Sequence, residues 1–155
     1  MRILVISDSH GDDDVILKVI ALESPEMILH LGDHDKDCSG VELEYPDIPL
    51  RSVRGNCDRS SANLDLDEFT LGGKRFFMTH GHLFRVKAGY FSIINFAVSR
   101  GIDVLLFGHT HIPYHAVINH MSIINPGSIG MSGKTYAILD NKDGEVVCEI
   151  KKVAL

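Results

Sequence analysis

The sequence predicts an α/β fold, a layered sandwich of two mixed β-sheets flanked by helices, on three observations. Strand-like and helix-like stretches alternate through the first two-thirds of the chain, strands alone follow, and polar clusters stand where strands stop. Residues 1–155, with 45% apolar composition, have the size of a single domain around one core, and a second domain would not fit.

Taken in order, Arg2-Ile3-Leu4-Val5-Ile6 reads as a buried strand, broken by Ser7-Asp8-Ser9-His10-Gly11 before a helix that begins near Asp12. In that helix Val15, Val19 and Leu22 recur at helical spacing beside Ile16 and Ile20, while Asp12, Asp13 and Asp14 put carboxylates where the helix dipole favours them. Pro25 follows its end. Met27 to Leu31 forms a second strand stopping at Gly32-Asp33, and Leu50 to Arg54 a third stopping at Gly55-Asn56-Cys57-Asp58. Residues 66–79 make a hairpin turning at Gly72-Gly73 and ending in His80-Gly81-His82. Ala88 to Arg100 is a helix capped by Gly101, and Asp103 to Phe107 a buried strand closed by Gly108-His109-Thr110-His111. From Pro113 onward the pattern is a meander of short strands, parted by Asn125-Pro126-Gly127-Ser128 and Asn141-Lys142-Asp143-Gly144.

Composition narrows the function classes. The formal charge of −6, with no Lys/Arg-rich stripe, argues against gripping a long nucleic acid, though not against a short nucleotide. Three scattered cysteines, Cys38, Cys57 and Cys148, give neither a disulfide framework nor a thiolate zinc site. The apolar runs fall far short of the roughly 20 residues of a membrane span. The N-terminal run enters a strand rather than a secretory signal, so a cytoplasmic location is the expectation, with no membrane partner.

Asp8, His10, Asp33, Asn56, His80, His109 and His111 all stand at predicted strand ends, where open α/β sheets place their ligand crevice. All seven are oxygen or imidazole donors, a set that suits divalent first-row metals. Asp-x-His and His-x-His put two donors on one side of an extended segment. Two cations about 3.5–4 Å apart can share an activated water and act on phosphate esters.

The ordered motifs Asp8-Ser9-His10, Gly32-Asp33, Gly55-Asn56, His80-Gly81-His82 and Gly108-His109-Thr110-His111 resemble the calcineurin-like metallophosphoesterase superfamily, most closely its small bacterial and archaeal phosphodiesterase branch. The Asn125-Pro126-Gly127-Ser128 tail is similar to that branch as well. The resemblance implies a first metal held by Asp8, His10, Asp33 and His111, and a second by Asp33, Asn56, His80 and His109, with Asp33 as the bridge. It further implies a hydrolase in which a hydroxide between two divalent ions attacks phosphorus in line, while Asn56 helps orient the phosphoryl oxygens. Manganese is the expected metal, with nickel, iron, cobalt and zinc able to occupy such a site. The expected substrate is a small phosphodiester, and the branch's habit of forming homodimers or homotetramers carries over as an expectation.

One departure concerns Asn56's neighbour. Many members have a histidine there, beside an acidic residue, to protonate the leaving group or bind phosphate; this chain has Cys57 and Asp58, which become the candidate catalytic pair beside Asn56. A thiol near cations tends to ionise and is then a poor acid, so activated diesters are favoured over simple monoesters. A phosphomonoesterase, a nuclease and a non-catalytic protein-binding scaffold of the same fold are the alternatives. His82, His34 and Asp35 stay outside the ligand set, His30, His115 and His120 have no assigned role, and Arg54 and Arg59, flanking the Asn56 loop, are read as solvated salt-bridge residues first and phosphate contacts second. The glycines at 32, 55, 81 and 108 are read as turn formers.

Overall fold

Alternate residues of β1 (Arg2–Ile6) bury on opposite faces, and the rest of the architecture follows from that alternation. Ile3 and Val5 meet Phe76, Met78, Val104 and Leu106 in one cluster, whereas Leu4 and Ile6 meet Val15, Ile16, Val19 and Ile20 in another. The first cluster joins two sheets face to face. The second seats α1 (Asp13–Glu23) on the outer face of its sheet.

The computed structural model describes residues 1–131 and 133–154. After α1 come β2 (Met27–His30), α2 (Cys38–Glu44), β3 (Leu50–Ser52), β4 (Leu66–Leu71), β5 (Lys74–Thr79), α3 (Phe91–Ser99) and β6 (Val104–Leu106). β7 (Tyr114–Ile118), β8 (Met121–Asn125), β9 (Thr135–Lys142) and β10 (Glu145–Lys152) complete the order. One sheet runs β10-β9-β1-β2-β3 and the other β4-β5-β6-β8-β7. Both are mixed: β1, β2 and β3 are parallel, as are β5, β6 and β8; antiparallel β9 borders the first trio at β1, and antiparallel β4 and β7 border the second on both sides. Phe77, Leu105 and Ile123, pointing away from the shared core, pack with Ile93 and Ala97 of α3. The layers are therefore helix, sheet, sheet, helix, as the sequence predicts.

Two expectations need correction. The C-terminal strands are not one meander, because β7 and β8 pair into the second sheet while β9 and β10 join the first, with Ile3 opposite Leu139. The hairpin of β7 and β8 turns at Asn119 and His120, both with positive φ, a break the sequence reading passes over. The helix expected from Ala88 begins at Phe91, after a 3-10 turn over Val86–Ala88 and Gly89 at φ 144°.

α1 is tied down at its end. Buried Glu23 accepts hydrogen bonds from Arg2, from the Tyr136 hydroxyl at 2.6 Å and from Lys151 at 3.1 Å, pinning the helix to β1, β9 and β10. Among the described residues no helix is long and apolar enough to cross a membrane.

Candidate metal centre

Each parallel strand ends in a polar loop, and the loops are laced together by backbone bonds. The Asp8 N–H donates to Gly32 O at 2.9 Å, Gly108 N–H to His80 O at 2.9 Å, and Ile129 N–H to Ser7 O at 3.0 Å. Asp8, His10, Asp33, His109 and His111 all have positive φ, between 49° and 69°. For a non-glycine residue that conformation costs about 1–2 kcal/mol. Holding five of seven candidate donors there requires surroundings that over-determine the loops, the usual signature of a functional site.

The donors converge. Asp8, His10 and His111 form one group and Asp33, His80 and His109 a second, the ligand atoms within each lying within 4.8 Å of one another. His111 Nε2 stands 3.0 Å from Asp8 Oδ1, and His80 Nε2 stands 3.4 Å from Asp33 Oδ2 and 3.1 Å from His109 Nδ1. The groups adjoin, since His10 Nε2 is 3.8 Å from both Asp8 Oδ1 and Asp33 Oδ2. That nitrogen is buried and among the described residues has no hydrogen-bond partner, as expected of an imidazole whose lone pair is reserved for a cation. His80 is oriented from behind: its Nδ1 donates to Leu31 O at 2.8 Å, which turns Nε2 into the basin. Three-donor groups of carboxylate and imidazole without thiolate fit divalent metals well.

Both carboxylates are aimed by the loops themselves. Asp8 Oδ2 accepts the Ser7 hydroxyl and the His109 N–H at 3.2 Å, leaving Oδ1 for His111. Asp33 Oδ1 accepts the Cys57 N–H at 2.9 Å, leaving Oδ2 for His10 and His80. Behind Asp33 lies Asp58, whose Oδ2 accepts N–H groups of Asp33 at 2.8 Å and Gly55 at 2.7 Å, and whose Oδ1 accepts those of His34 at 2.7 Å and Asp35 at 3.2 Å. Both oxygens of this predicted catalytic residue are thus occupied by backbone, clamping the β2 loop to the β3 loop.

The basin's electrostatics pull its imidazoles apart. Burial disfavours charge on His80, but the Asp33 hydrogen bond and the nearby Asp8 and Asp33 charges outweigh it and raise the pKa. Burial, helped by the charges of His80 and Lys87, pushes His109 down to about 4. Burial opposes ionisation of Asp33 as well, yet its bond to His80 holds the carboxyl well below the usual range. Cys57 has an exposed thiol whose pKa is raised by desolvation and by the Asp33 carboxylate.

Asn56 is exposed at the rim, its amide 3.6 Å from the Cys57 sulfur, on the loop that also anchors Asp33. His34 lies tilted beside His10 at 5.2 Å between ring centroids, and His82 lies 5.5 Å from His80 with a buried Nδ1 that has no hydrogen-bond partner among the described residues. Arg54 makes a two-pronged bond to Asp65 at 2.8 and 3.1 Å, the salt-bridge role expected of it. His115 and His120 sit in the β7–β8 hairpin, away from these contacts.

Several supporting residues escaped the sequence reading. His30, fully buried, accepts the Gly32 N–H at Nδ1 (3.1 Å) and so presents Nε2–H to Ser9 Oγ at 3.0 Å; the Ser9 hydroxyl in turn reaches Asp37 Oδ2 at 2.7 Å. This chain fixes the loop that carries His10. After β8, a sixth loop braces the others: Ser128 Oγ donates to Asp8 O at 2.8 Å, and Asn125 Nδ2 to Gly108 O and Thr110 Oγ1, both at 3.0 Å. Gly55 and Gly108 lack positive φ, contrary to the turn-former expectation; a Cβ at Gly55 would fall on Asp33 Oδ1 and one at Gly108 on Ser7 Oγ. Their role is close packing against the ligand side chains. The Asn-Pro-Gly-Ser run was the only sequence signal for the sixth loop, and the internal polar residues of strand ends gave none.

Fold and donor set define a metallophosphoesterase, and the comparisons with known proteins agree. Residues 1–144 match the calcineurin-like phosphoesterase superfamily domain, and the chain belongs to that superfamily. It is 34% identical to the probable metallophosphoesterase YsnB of Bacillus subtilis, over 90% of this chain and 83% of that protein. It is 27% identical to the phosphodiesterase YfcE of Escherichia coli, over 91% and 88%. The crystal structure of a predicted phosphoesterase from Streptococcus pneumoniae superposes with a TM-score of 0.80 at 24% identity, covering 97% of this chain and 88% of that one.

Proposed function

We propose that the basin binds two divalent cations, manganese first among them, and that the protein is a phosphodiesterase acting on a small diester. The observation that carries this reading is the position of Asp33 Oδ2, 3.4 Å from His80 Nε2 in one donor group and 3.8 Å from His10 Nε2 in the other. A carboxylate oxygen set between two groups is placed to bridge. Asp8, His10 and His111 with Asp33 would hold one cation, and Asp33, His80 and His109 with Asn56 the other. Bound there, the cations would lower the pKa of a water and offset charge on phosphoryl oxygens.

The chain's own groups do the rest. Imidazoles and carboxylates fixed by left-handed loops keep the donors in place before substrate arrives, so little reorganisation is needed. The Asn56 amide, exposed at the rim, is available to a phosphoryl oxygen. Cys57 stands where a histidine would otherwise assist the leaving group, and a thiol beside two cations would tend to ionise and then be a poor proton donor. Diesters with good leaving groups should therefore outpace simple monoesters. A relative named phosphodiesterase supports the diester reading.

Purified protein should hydrolyse bis(p-nitrophenyl) phosphate with Mn²⁺ faster than p-nitrophenyl phosphate. It should lose that activity with chelator and in Asp33→Ala. Faster monoester cleavage would make it a phosphomonoesterase, and no response to any divalent ion would remove the catalytic reading in favour of a scaffold.

A further inference from the structure

Beside the basin lies a hollow of about 310 Å³, walled by residues 34–36 on one side and 57–61 on the other. It adjoins the basin: the ring of His34, one of its walls, lies 5.2 Å from that of His10, and the N–H of Cys57, another, bonds Asp33 Oδ1 at 2.9 Å. Its walls carry two carboxylates beside two cations. Asp58 gives both oxygens to four backbone N–H groups, and Asp35, also buried, accepts the Ser61 hydroxyl and the Asn63 amide on Oδ2, the latter at 2.7 Å. The two bases of the wall, Lys36 and Arg59, are exposed, and among the described residues neither comes within 4.0 Å of a carboxylate oxygen. Glu42 borders a neighbouring hollow with Lys36 but makes no ion pair with it. Ser60 adds an exposed hydroxyl.

A diester with its phosphorus over the two donor groups has two ester arms, and the hollow past His34 and Cys57 is a space beside the basin that one of them can enter. We propose that the hollow receives an ester arm bearing a second phosphate, gripped by the Lys36 ammonium and the Arg59 guanidinium. An arm with no charge would leave both cations in water and gain nothing from them. One that carries phosphate meets a compact charge and a planar fork of donors, the pair of groups suited to that anion. The inference rests on the phosphodiesterase reading and narrows it to nucleotide-like diesters with an additional terminal phosphate.

The test compares thymidine 5′-(p-nitrophenyl phosphate) with the same compound carrying a 3′-phosphate, using the Mn²⁺-supplemented full chain. The phosphorylated compound should have a kcat/KM roughly tenfold higher, carried by KM. The preference should shrink to near one in the double variant Lys36→Ala/Arg59→Ala. It should persist in the charge-keeping pair Lys36→Arg/Arg59→Lys, and in Lys142→Ala, which removes a distant cation. No preference in the wild-type protein, or one that the double alanine variant keeps, overturns the subsite. Should neither compound be hydrolysed, the functional reading fails, and binding of the two compounds read by calorimetry decides the subsite: tighter binding of the 3′-phosphate form that the double variant loses upholds it, and equal binding overturns it.

Discussion

The carboxylate of Asp58 accepts the backbone N–H of Asp33 at 2.8 Å, and its remaining bonds run to Gly55, His34 and Asp35. A side chain engaged in this way positions Asp33. Asp58→Ala should leave four backbone N–H groups short of a partner and cost about 2–4 kcal/mol of stability, read by denaturant unfolding. Asp58→Asn, which can accept through one oxygen alone, should fall between. A residue acting only in chemistry would lower kcat in both variants with no loss of stability.

Gly55 is needed for the space it leaves. In Gly55→Ala the new Cβ meets both Asp33 Oδ1, the oxygen that the Cys57 N–H holds, and the Asp33 backbone N at 2.5 Å, so the β2 and β3 loops must part and carry Asp33 with them. Manganese affinity should drop by roughly tenfold or more while the far-ultraviolet circular dichroism stays native, with calorimetric titration as the readout. Unchanged affinity would mean the loop relaxes freely.

The metal-free protein should show two imidazoles titrating on opposite sides of ordinary histidine. His109 is pushed down to about 4, chiefly by burial, and His80 is raised by Asp33 and Asp8. The signs of the linkage differ. Because unfolded His109 takes up its proton near pH 6.5 while the folded one resists until about 4, its share of stability is complete above pH 6.5 and declines as pH falls through that window. For His80 the contribution is complete below pH 6.5 and is lost as pH rises through its raised folded value. For Asp33, held low, the contribution is complete above the ordinary carboxylate range and is lost as pH falls from there to its depressed folded value. Histidine ring resonances followed by NMR across pH 3–9 separate the two imidazoles, and coincident midpoints would contradict the arrangement.

Asn125 supplies no donor to the basin, yet its amide braces Gly108 and Thr110 on either side of His109. Asn125→Ala should therefore weaken metal binding by about tenfold with the ligand set intact. Equal binding isotherms for variant and wild type would show that the β6 loop holds itself.

The donor set was legible because its members lie at chain positions where period-2 apolar runs stop, a local signal. The brace around it was not. Asp58, His30, Ser9 and Asn125 act through partners 21 to 28 residues away or through the β6 loop, and nothing in a one-dimensional pattern pairs them. Local signals also varied in strength. Gly72-Gly73 and Asp143-Gly144 announce their hairpins, whereas Asn119-His120 makes the same positive-φ turn without glycine and passes unnoticed. The short α2 has Ser39 and Gly40 near its start and buries only Cys38 and Val41, too little for an apolar stripe to show. Which sheet each C-terminal hairpin joins depends on pairing with β1 and β8's partner β6, over a hundred residues from β9 in the first case.

The central claim is that Asp33 stands between two cations. Crystals grown with Mn²⁺ and measured at the manganese edge should give two anomalous peaks, one beside Asp8, His10 and His111 and the other beside His80 and His109, with Asp33 touching both. A single peak, or two that do not share Asp33, would contradict it.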